Sequence, residues 1–318
     1  MYLNFKLPPW LQLALRFRGS VIPAIYKRVI WSSIFSVFIS GLYYLKLPVY
    51  QPSFESIIPS IVLGLLLVFR TNTAYERFWE GRKCWGTLVN NVRNLARQIW
   101  VATAELELED REKKISTLYL LAAFAVALKL HLRAEVVNSE LEELMNASKY
   151  FKLTDVNNPP LKIAFWIEDY LQQQYSRQCL NTYQLSTMQN LLSSMVDTLG
   201  GCERILKTPI PLAYVIHLKQ LLLIYCLLLP FQLVNDLGWW TGAIVGLISF
   251  TLFGIEEIGV EIENPFGYDS NDLPLDAICG TMLRNIKDLI AFAPSVDSDK
   301  HQAINTEFYQ QLASTSIE

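Results

Sequence analysis

Acidic residues are concentrated just after the last long apolar stretch of the sequence. The cluster consists of four glutamates: Glu256, Glu257, Glu261 and Glu263. Carboxylates in this number can bind a cation or line the charged vestibule of a pore. A simpler explanation is that nearby arginines pair with them, since carboxylates beside an apolar segment usually need partners. We favour the paired arrangement.

Two basic residues interrupt the apolar stretch 211–230. His217 and Lys219 could pair with the acidic cluster, extend their side chains to water, or relay protons. We favour pairing or an interfacial position over a proton relay.

The sequence lacks the motifs of an enzyme. It has neither a glycine-rich phosphate loop nor an HExxH zinc motif, and its histidines are His131, His217 and His301. These histidines lack the carboxylate spacing of a di-iron site. The five cysteines are scattered without a CxxC pair, which predicts reduced thiols and neither a disulfide framework nor a thiolate metal site. We therefore expect a protein that is not an enzyme and needs no cofactor.

The composition indicates a membrane protein. Of the 318 residues, 52% are hydrophobic and 18% are charged, whereas soluble domains average about 25% charged residues. The mean hydropathy is +0.24. The net charge of −3 argues against a nucleic-acid-binding protein, which would need a concentrated basic face.

Four apolar stretches predict membrane spans. They are residues 29–47, 54–69, 211–230 and 239–255, and their lengths approach the thickness of the hydrocarbon core. A short connection containing Pro48 and Pro52 joins the first two. A turn around Asn235, Asp236 and Gly238 joins the last two, so the sequence predicts two membrane hairpins.

The basic residues predict the orientation of both hairpins. Those that flank the spans on the side of the chain termini are Arg16, Arg18, Lys27, Arg28, Arg70, Arg77, Arg82, Lys83, Arg204 and Lys207. The connecting turns carry only Lys46. By the positive-inside rule, both hairpins point outward and both termini are cytoplasmic. The N-terminus lacks the apolar run and the small-residue cleavage site of a signal peptide. The absence of a transit peptide favours a prokaryote, so we expect a bacterial inner membrane or a cyanobacterial thylakoid.

The rest of the chain predicts water-exposed helices, and the fold class is all-α. Residues 115–128 are apolar but too few for a span, which favours a buried core helix. The expected organisation is a cytosolic segment (1–28), a first hairpin (29–75), a cytosolic helical region (76–209), a second hairpin (210–260) and a cytosolic acidic segment with a C-terminal tail (261–318).

The exit from the second span carries the most unusual pattern. Residues 61–69 are apolar everywhere except at Gly64, so their periodicity selects no face. The following segment then alternates aromatic and charged side chains: Arg70, Asn72, Tyr75, Glu76, Arg77, Phe78, Trp79, Glu80, Arg82 and Trp85. A plain membrane anchor needs only one or two basic residues there. The pattern indicates a packed interface that holds the helix as it leaves the membrane.

This segment, Phe69-Arg-Thr-Asn-Thr-Ala-Tyr-Glu-Arg-Phe-Trp-Glu-Gly-Arg-Lys-Cys-Trp-Gly86, resembles the bestrophin signature after the second helix. Ile210-Pro-Leu-Ala-Tyr214 resembles the start of the family's third membrane helix. Ile262-Glu-Asn-Pro-Phe-Gly-Tyr-Asp-Ser-Asn-Asp272 resembles its acidic segment. The three matches stand in the family's order, and Gly254-Ile-Glu-Glu-Ile-Gly-Val-Glu-Ile-Glu263 is similar to the bacterial and plastid branch.

The resemblance implies a homopentameric channel whose pore is lined by the second helix. Its narrow neck would be formed by Ile61, Leu65 and Phe69, and their i, i+4, i+8 spacing places them on one helix face. A lower, cytosolic constriction would fall near Tyr183. The residues that carry the signature, to which we assign a structural role, are Asn72, Glu76, Arg77, Trp79, Glu80, Asn264, Pro265, Phe266 and Gly267.

The resemblance also implies a calcium site in the acidic segment. Glu261, Asp269 and Asp272 would supply its carboxylates, because calcium takes six to eight oxygen ligands. The alternative is a simple turn in which Asp272 caps the next helix. Since bacterial members of the family generally lack the calcium gate, we favour the turn.

The sequence therefore predicts a passive channel for chloride or similar monovalent anions, with itself, the permeant ions and membrane lipid as partners. A neck of apolar rings controls conduction by dewetting. The positive edge of the Phe69 ring favours an anion, whereas Leu65 has no ring where the animal branch carries an aromatic residue. A sodium or potassium channel of the same architecture remains an alternative. A non-conducting membrane scaffold is the third hypothesis.

Overall fold

The structure, a computed structural model, describes residues 9–17, 19–51 and 57–292, and within these ranges it contains helices but no strand. The predicted all-α class is thus confirmed. The predicted start of the second span at residue 54 and the tail after Phe292 lie outside the described residues. The helices, in chain order, are α1 (Pro9–Ala14), α2 (Ile22–Tyr44), α3 (Ile57–Ala102), α4 (Leu108–Leu132), α5 (Ser139–Glu142), α6 (Ala147–Leu153), α7 (Pro159–Ser176), α8 (Thr182–Lys207), α9 (Leu212–Leu237), a 3-10 turn (Gly238–Trp240), α10 (Thr241–Glu263) and α11 (Leu275–Ala291).

The chain forms two compact units. The first contains residues 1–80 and 205–273, and the second contains residues 81–204 and 274–318. Helix α3 begins in the first unit and ends in the second.

The first unit packs α2, α9, α10 and the beginning of α3 around an apolar core. That core consists of Ile25, Leu63, Leu67, Leu218, Leu222, Cys226 and Phe253. Helices α2 and α10 approach closely because α10 presents glycines to α2. A β-carbon at Gly246 would lie 2.3 Å from Ser33 Oγ, and one at Gly242 would lie 2.5 Å from Val37 Cγ2. Small residues of this kind let helix backbones approach each other in membrane proteins.

The structure corrects the boundaries of three predicted spans. Helix α2 starts at Ile22 and ends at Tyr44, so the span extends further toward the N-terminus than residue 29. Helix α9 continues beyond residue 230 to Leu237, although Pro230 lies inside it and cannot donate the usual backbone hydrogen bond. Helix α10 runs eight residues beyond residue 255, to Glu263.

The second hairpin turns later than the sequence predicted. Asn235 and Asp236 are still helical, and the reversal occurs at Gly238, whose φ of +53° suits glycine. A β-carbon there would lie 2.7 Å from the Tyr44 hydroxyl. Next to this turn, the Tyr44 ring stacks on Trp239 with centroids 4.9 Å apart. The end of α2 therefore packs against the α9–α10 turn through aromatic rings.

Four helical stretches of the described residues have the length and composition to cross a membrane: Ile22–Tyr44, Ile58–Ala102, Glu109–Leu132 and Leu212–Glu263. The last of these contains both α9 and α10. In the most apolar part of Glu109–Leu132, 78% of the residues are buried within the chain, whereas in the other three stretches the buried share is 17–22%. This difference agrees with the prediction that residues 115–128 form a core helix.

The second unit is built around α4. Every residue from Leu120 to Leu130 is buried, and α7 and α11 pack against this helix. Two lysines are buried at its ends, and each is compensated by carboxylates. Lys114 Nζ lies 2.6 Å from Glu105 Oε1, and Lys129 Nζ lies 2.6 Å from Glu140 Oε2 and 2.8 Å from Asp276 Oδ1. Buried ammonium groups require such partners.

Candidate pore-lining face of helix α3

The predicted neck residues share the exposed face of α3. Ile61, Leu65 and Phe69 are 53%, 53% and 61% exposed, whereas Leu63 and Leu67 on the opposite side are 3% and 2% exposed. The single chain therefore uses one side of this apolar helix for its own core. The other side is left with large apolar side chains at successive helical turns.

Arg70 directly follows Phe69, and its side chain points to the opposite, buried side of α3. Its side chain is 2% exposed, and its Nη2 donates a 2.6 Å hydrogen bond to Glu263 Oε2 at the end of α10. The other carboxylate oxygen of Glu263 accepts a hydrogen bond from the backbone N–H of Ile210, at 3.1 Å. Gly259 leaves room for the arginine, since a β-carbon there would lie 3.3 Å from Arg70 Cγ. Arg70 and Glu263 thereby fix α3 against α10.

Arg77, seven residues after Arg70, attaches α3 to the ends of α10 and α8. Its guanidinium donates to three backbone carbonyls: that of Glu263 at 3.2 Å, that of Ile205 at 2.5 Å and that of Thr208. Glu263 is the last residue of α10, Ile205 lies in the last turn of α8, and Thr208 directly follows α8. The planar fork of arginine suits such a multiple contact. Within this chain, Arg77 therefore joins the end of α10 to the end of α8 and the residue after it.

Asn72 and Glu76 lie on the same exposed face as the neck residues. Asn72 Nδ2 donates a hydrogen bond of 3.1 Å to Glu76 Oε1, one helical turn away. Trp79 is 50% exposed, and Glu80 is half-buried. The signature segment therefore divides into side chains that hold the helix and side chains that face outward from the chain.

The Asn-Pro-Phe-Gly segment forms a compact turn after α10. Phe266 is fully buried, and its backbone N–H donates to Asn264 Oδ1 at 3.4 Å. The carbonyl of Pro265 accepts a hydrogen bond from the backbone N–H of Leu273 at 3.0 Å. Gly267 has no room for a side chain, because a β-carbon would lie 2.7 Å from Asp272 Oδ2. These contacts hold the segment in one compact conformation.

The structure does not gather the three predicted calcium ligands into one site. Asp272 Oδ2 accepts the backbone N–H of Asp269 at 2.8 Å, whereas Glu261 Oε2 accepts Asn271 Nδ2 at 2.6 Å. Among the described residues, no group of three or more histidine, cysteine, aspartate or glutamate side chains is placed to hold a metal ion. In this structure these hydrogen bonds close the segment into a turn. However, Asp272 does not cap the next helix, because the N-cap of α11 is Pro274 and Asp272 closes its own turn.

The acidic cluster is paired, as we predicted. Arg28 Nη1 lies 3.4 Å from Glu256 Oε2, and Arg28 Nη2 lies 3.1 Å from Glu257 Oε2. Lys219 Nζ lies 3.7 Å from Glu256 Oε1, so one of the two basic residues in the third span pairs with the cluster. His217 is exposed. No sequence signal links Arg28 to Glu256, which lies 228 residues away.

Tyr183 lies in the first turn of α8 and is 86% exposed. Its predicted position at a lower constriction depends on an assembly of several chains, so it stays a prediction.

Comparison with known proteins agrees with this architecture. The sequence model described as Bacterial/Fungal Bestrophin protein matches residues 2–288. The chain is 70% identical over 289 residues to a voltage-dependent anion channel-forming protein of Nostoc sp., covering 91% of this chain and 94% of that protein. It is 59% identical to a protein of the same description from Synechocystis sp., covering 90% and 93%.

A solved structure agrees as well. The crystal structure of a bacterial bestrophin homologue from Klebsiella pneumoniae superposes with a TM-score of 0.77 at 30% identity, covering 85% of this chain and all of that one. The family match, the relatives and the fold thus agree, each over most of the chain, and the chain belongs to the bacterial and fungal bestrophin family.

Proposed function

We propose that this protein is a homopentameric, multi-pass membrane channel that conducts chloride and similar monovalent anions passively. Helix α3 lines its pore, and Ile61, Leu65 and Phe69 form its neck. The observation that carries this proposal is the exposed apolar face of α3, whose other face is packed into the chain. Cyclic assembly around an axis would turn that face inward in every copy.

The neck acts through hydration. Five copies of each residue form stacked apolar rings, and an ion that passes them loses part of its water without gaining polar partners. Large, weakly hydrated ions lose least by this exchange. The positive edge of each Phe69 ring further favours an anion.

The relatives of this chain support anion conduction. The proteins of Nostoc sp. and Synechocystis sp. are described as voltage-dependent anion channel-forming proteins, and each aligns over nine-tenths of this chain or more. No candidate nucleophile or metal triad was found in the sequence, so a channel explains these residues better than an enzyme does.

We propose that both hairpins point outward and that both termini are cytoplasmic, in a bacterial inner membrane or a thylakoid. The basic residues that flank the spans support this orientation. Membrane lipid is then the surrounding partner, and no nucleic acid is bound.

Calcium has no step in this proposal. The carboxylates of Glu261 and Asp272 are engaged within their own turn, by Asn271 and by the backbone of Asp269. We therefore expect that chelation of calcium leaves the current of the reconstituted protein unchanged. A current that disappears with chelator and returns with calcium would contradict this part of the proposal.

Reconstitution into liposomes tests the function directly. The purified protein is expected to carry current in an asymmetric sodium chloride gradient, with a reversal potential displaced toward the equilibrium potential of chloride. A displacement toward the sodium potential would instead identify a cation channel of the same architecture. Protein that is pentameric and carries neither ion would be the non-conducting scaffold.

A further inference from the structure

One carboxylate lies where it can act on every ion that leaves the neck. Between Ile58 and Trp79, all of which the structure describes, the charged residues are Arg70, Glu76 and Arg77. Arg70 is buried against Glu263, and Arg77 is clamped by three backbone carbonyls. Glu76 is the exposed charge in this stretch.

The helical register aligns Glu76 with the neck. At 3.6 residues per turn, Glu76 lies about 20° around the helix from Phe69, inside the arc of about 80° that Ile61 and Phe69 span. Seven residues separate Glu76 from Phe69, which places it about 10 Å further along the axis. Whatever orientation brings Phe69 to the axis therefore also turns Glu76 toward it.

Asn72 holds the carboxylate on this face. Its Nδ2 donates to Glu76 Oε1 at 3.1 Å, and Asn72 lies in the same arc, one turn closer to Phe69. A polar turn thus separates the last apolar ring from the charge. The Glu76 carboxylate is exposed and its contact with Asn72 is to a neutral amide, whereas Glu263 is compensated by Arg70.

We propose that Glu76 is a selectivity-determining residue: five Glu76 carboxylates form an anionic ring at the inner mouth of the neck, which lowers the local concentration of anions and raises that of monovalent cations. This inference rests on the proposed function, since it requires α3 to line a pore. The ring opposes the preference of the apolar neck, so the channel discriminates between anions and cations less than the neck alone would.

Charge-neutralising variants of the full-length protein in planar bilayers test the ring. Glu76→Gln is expected to raise the chloride-to-sodium permeability ratio about threefold at about 0.15 M salt, because charges within a Debye length of about 8 Å act on the passing ion. At about 1 M salt, where the Debye length is about 3 Å, the difference from wild type should largely vanish.

Two further variants serve as controls. Glu76→Asp keeps the charge and should retain the wild-type ratio. Glu109→Gln removes one carboxylate from the exposed surface of α4, where Glu109 pairs with Lys113 at 3.1 Å, and should also match wild type.

The outcomes separate this inference from the function on which it rests. If Glu76→Gln and wild type have the same reversal potential at low salt while Phe69→Ala changes the conductance, Glu76 is not a selectivity residue and the channel stands. If the wild-type protein carries no ion at all, the proposed function fails and the ring fails with it. If Glu76→Asp shifts the ratio as much as Glu76→Gln, side-chain geometry rather than charge is responsible, and the inference is overturned.

Discussion

Phe69 and Arg70 are neighbours in the sequence and point to opposite sides of α3. Phe69 is 61% exposed, whereas Arg70 is 2% exposed and bound to Glu263. The arginine places a full charge inside the first unit, which is tolerated because the carboxylate lies 2.6 Å away. At the scale of single residues, one of these two neighbours therefore anchors the helix and the other is left exposed.

Truncation of the neck tests the role of its residues. We expect Phe69→Ala and Leu65→Ala to widen the neck and to raise single-channel conductance, by about tenfold if the barrier falls by about 1.4 kcal/mol. Single-channel recording measures this. Leu223→Ala is a matched control, since Leu223 is a similarly exposed apolar residue, 56% exposed, on α9. Wild-type conductance in both neck variants would remove these positions from the pore.

At the scale of elements, each unit is stabilised internally by close contact between helices and by paired charges. In the first unit, glycines of α10 let α2 approach. In the second unit, the start of α4 is held by Asp110, whose carboxylate accepts the backbone N–H groups of Leu106 and Glu107, both at 2.9 Å. Arg177 at the end of α7 binds the same carboxylate at 2.6 and 3.0 Å. This bidentate pair therefore joins α4 to α7.

The Asp110–Arg177 pair predicts a dependence of stability on pH. The hydrogen bond from Arg177 holds the pKa of Asp110 well below its ordinary value of 3.8. Because the folded state has the lower pKa, the stabilisation is present above pH 3.8 and is lost as the pH falls further. We expect Asp110→Asn to lower the unfolding temperature at neutral pH and to reduce the acid sensitivity of the second unit.

Thermal unfolding of the purified full-length protein, followed by tryptophan fluorescence across a pH series, measures this effect. Asp155→Asn, at an exposed site in the loop after α6, is the control for loss of one carboxylate. Equal unfolding temperatures for Asp110→Asn and wild type at neutral pH would contradict the role of the pair.

At the scale of the whole molecule, the exposed apolar face of α3 is a surface that a single chain leaves unfilled. A stripe of large apolar residues along one helix predicts an assembly in which copies share an axis. A narrow neck requires a small number of copies around the axis, and the family resemblance implies five.

The mass of the purified assembly tests this. Five copies of 36.5 kDa give about 180 kDa, which native mass spectrometry from detergent resolves from neighbouring oligomers. The matched sample is Asp155→Asn, at an exposed site in the loop after α6, which should leave the stoichiometry unchanged. A monomer or a dimer as the dominant species would overturn the pentamer and the pore at its centre.

The amino-acid sequence by itself determined the helical class, the apolar hairpins, the core role of residues 115–128 and the family. These depend on hydrophobic length, on periodicity and on local motifs, all of which are local in the chain. The family resemblance selected Ile61, Leu65 and Phe69, and their spacing places them on one helix face. The sequence could not choose which face of the uniformly apolar segment 61–69 would be packed.

Tertiary structure decided that choice, because Leu63 and Leu67 join a core built from residues as distant as Phe253. Likewise, Arg28 meets Glu256 and Arg70 meets Glu263 only through folding, since side chains about 200 residues apart share no local signal. The helix ends also shifted for this reason: α9 passes through Pro230 because packing on its neighbours outweighs the lost backbone hydrogen bond. The family resemblance thus indicated which residues would form the neck, and long-range packing determined that they face outward from the chain.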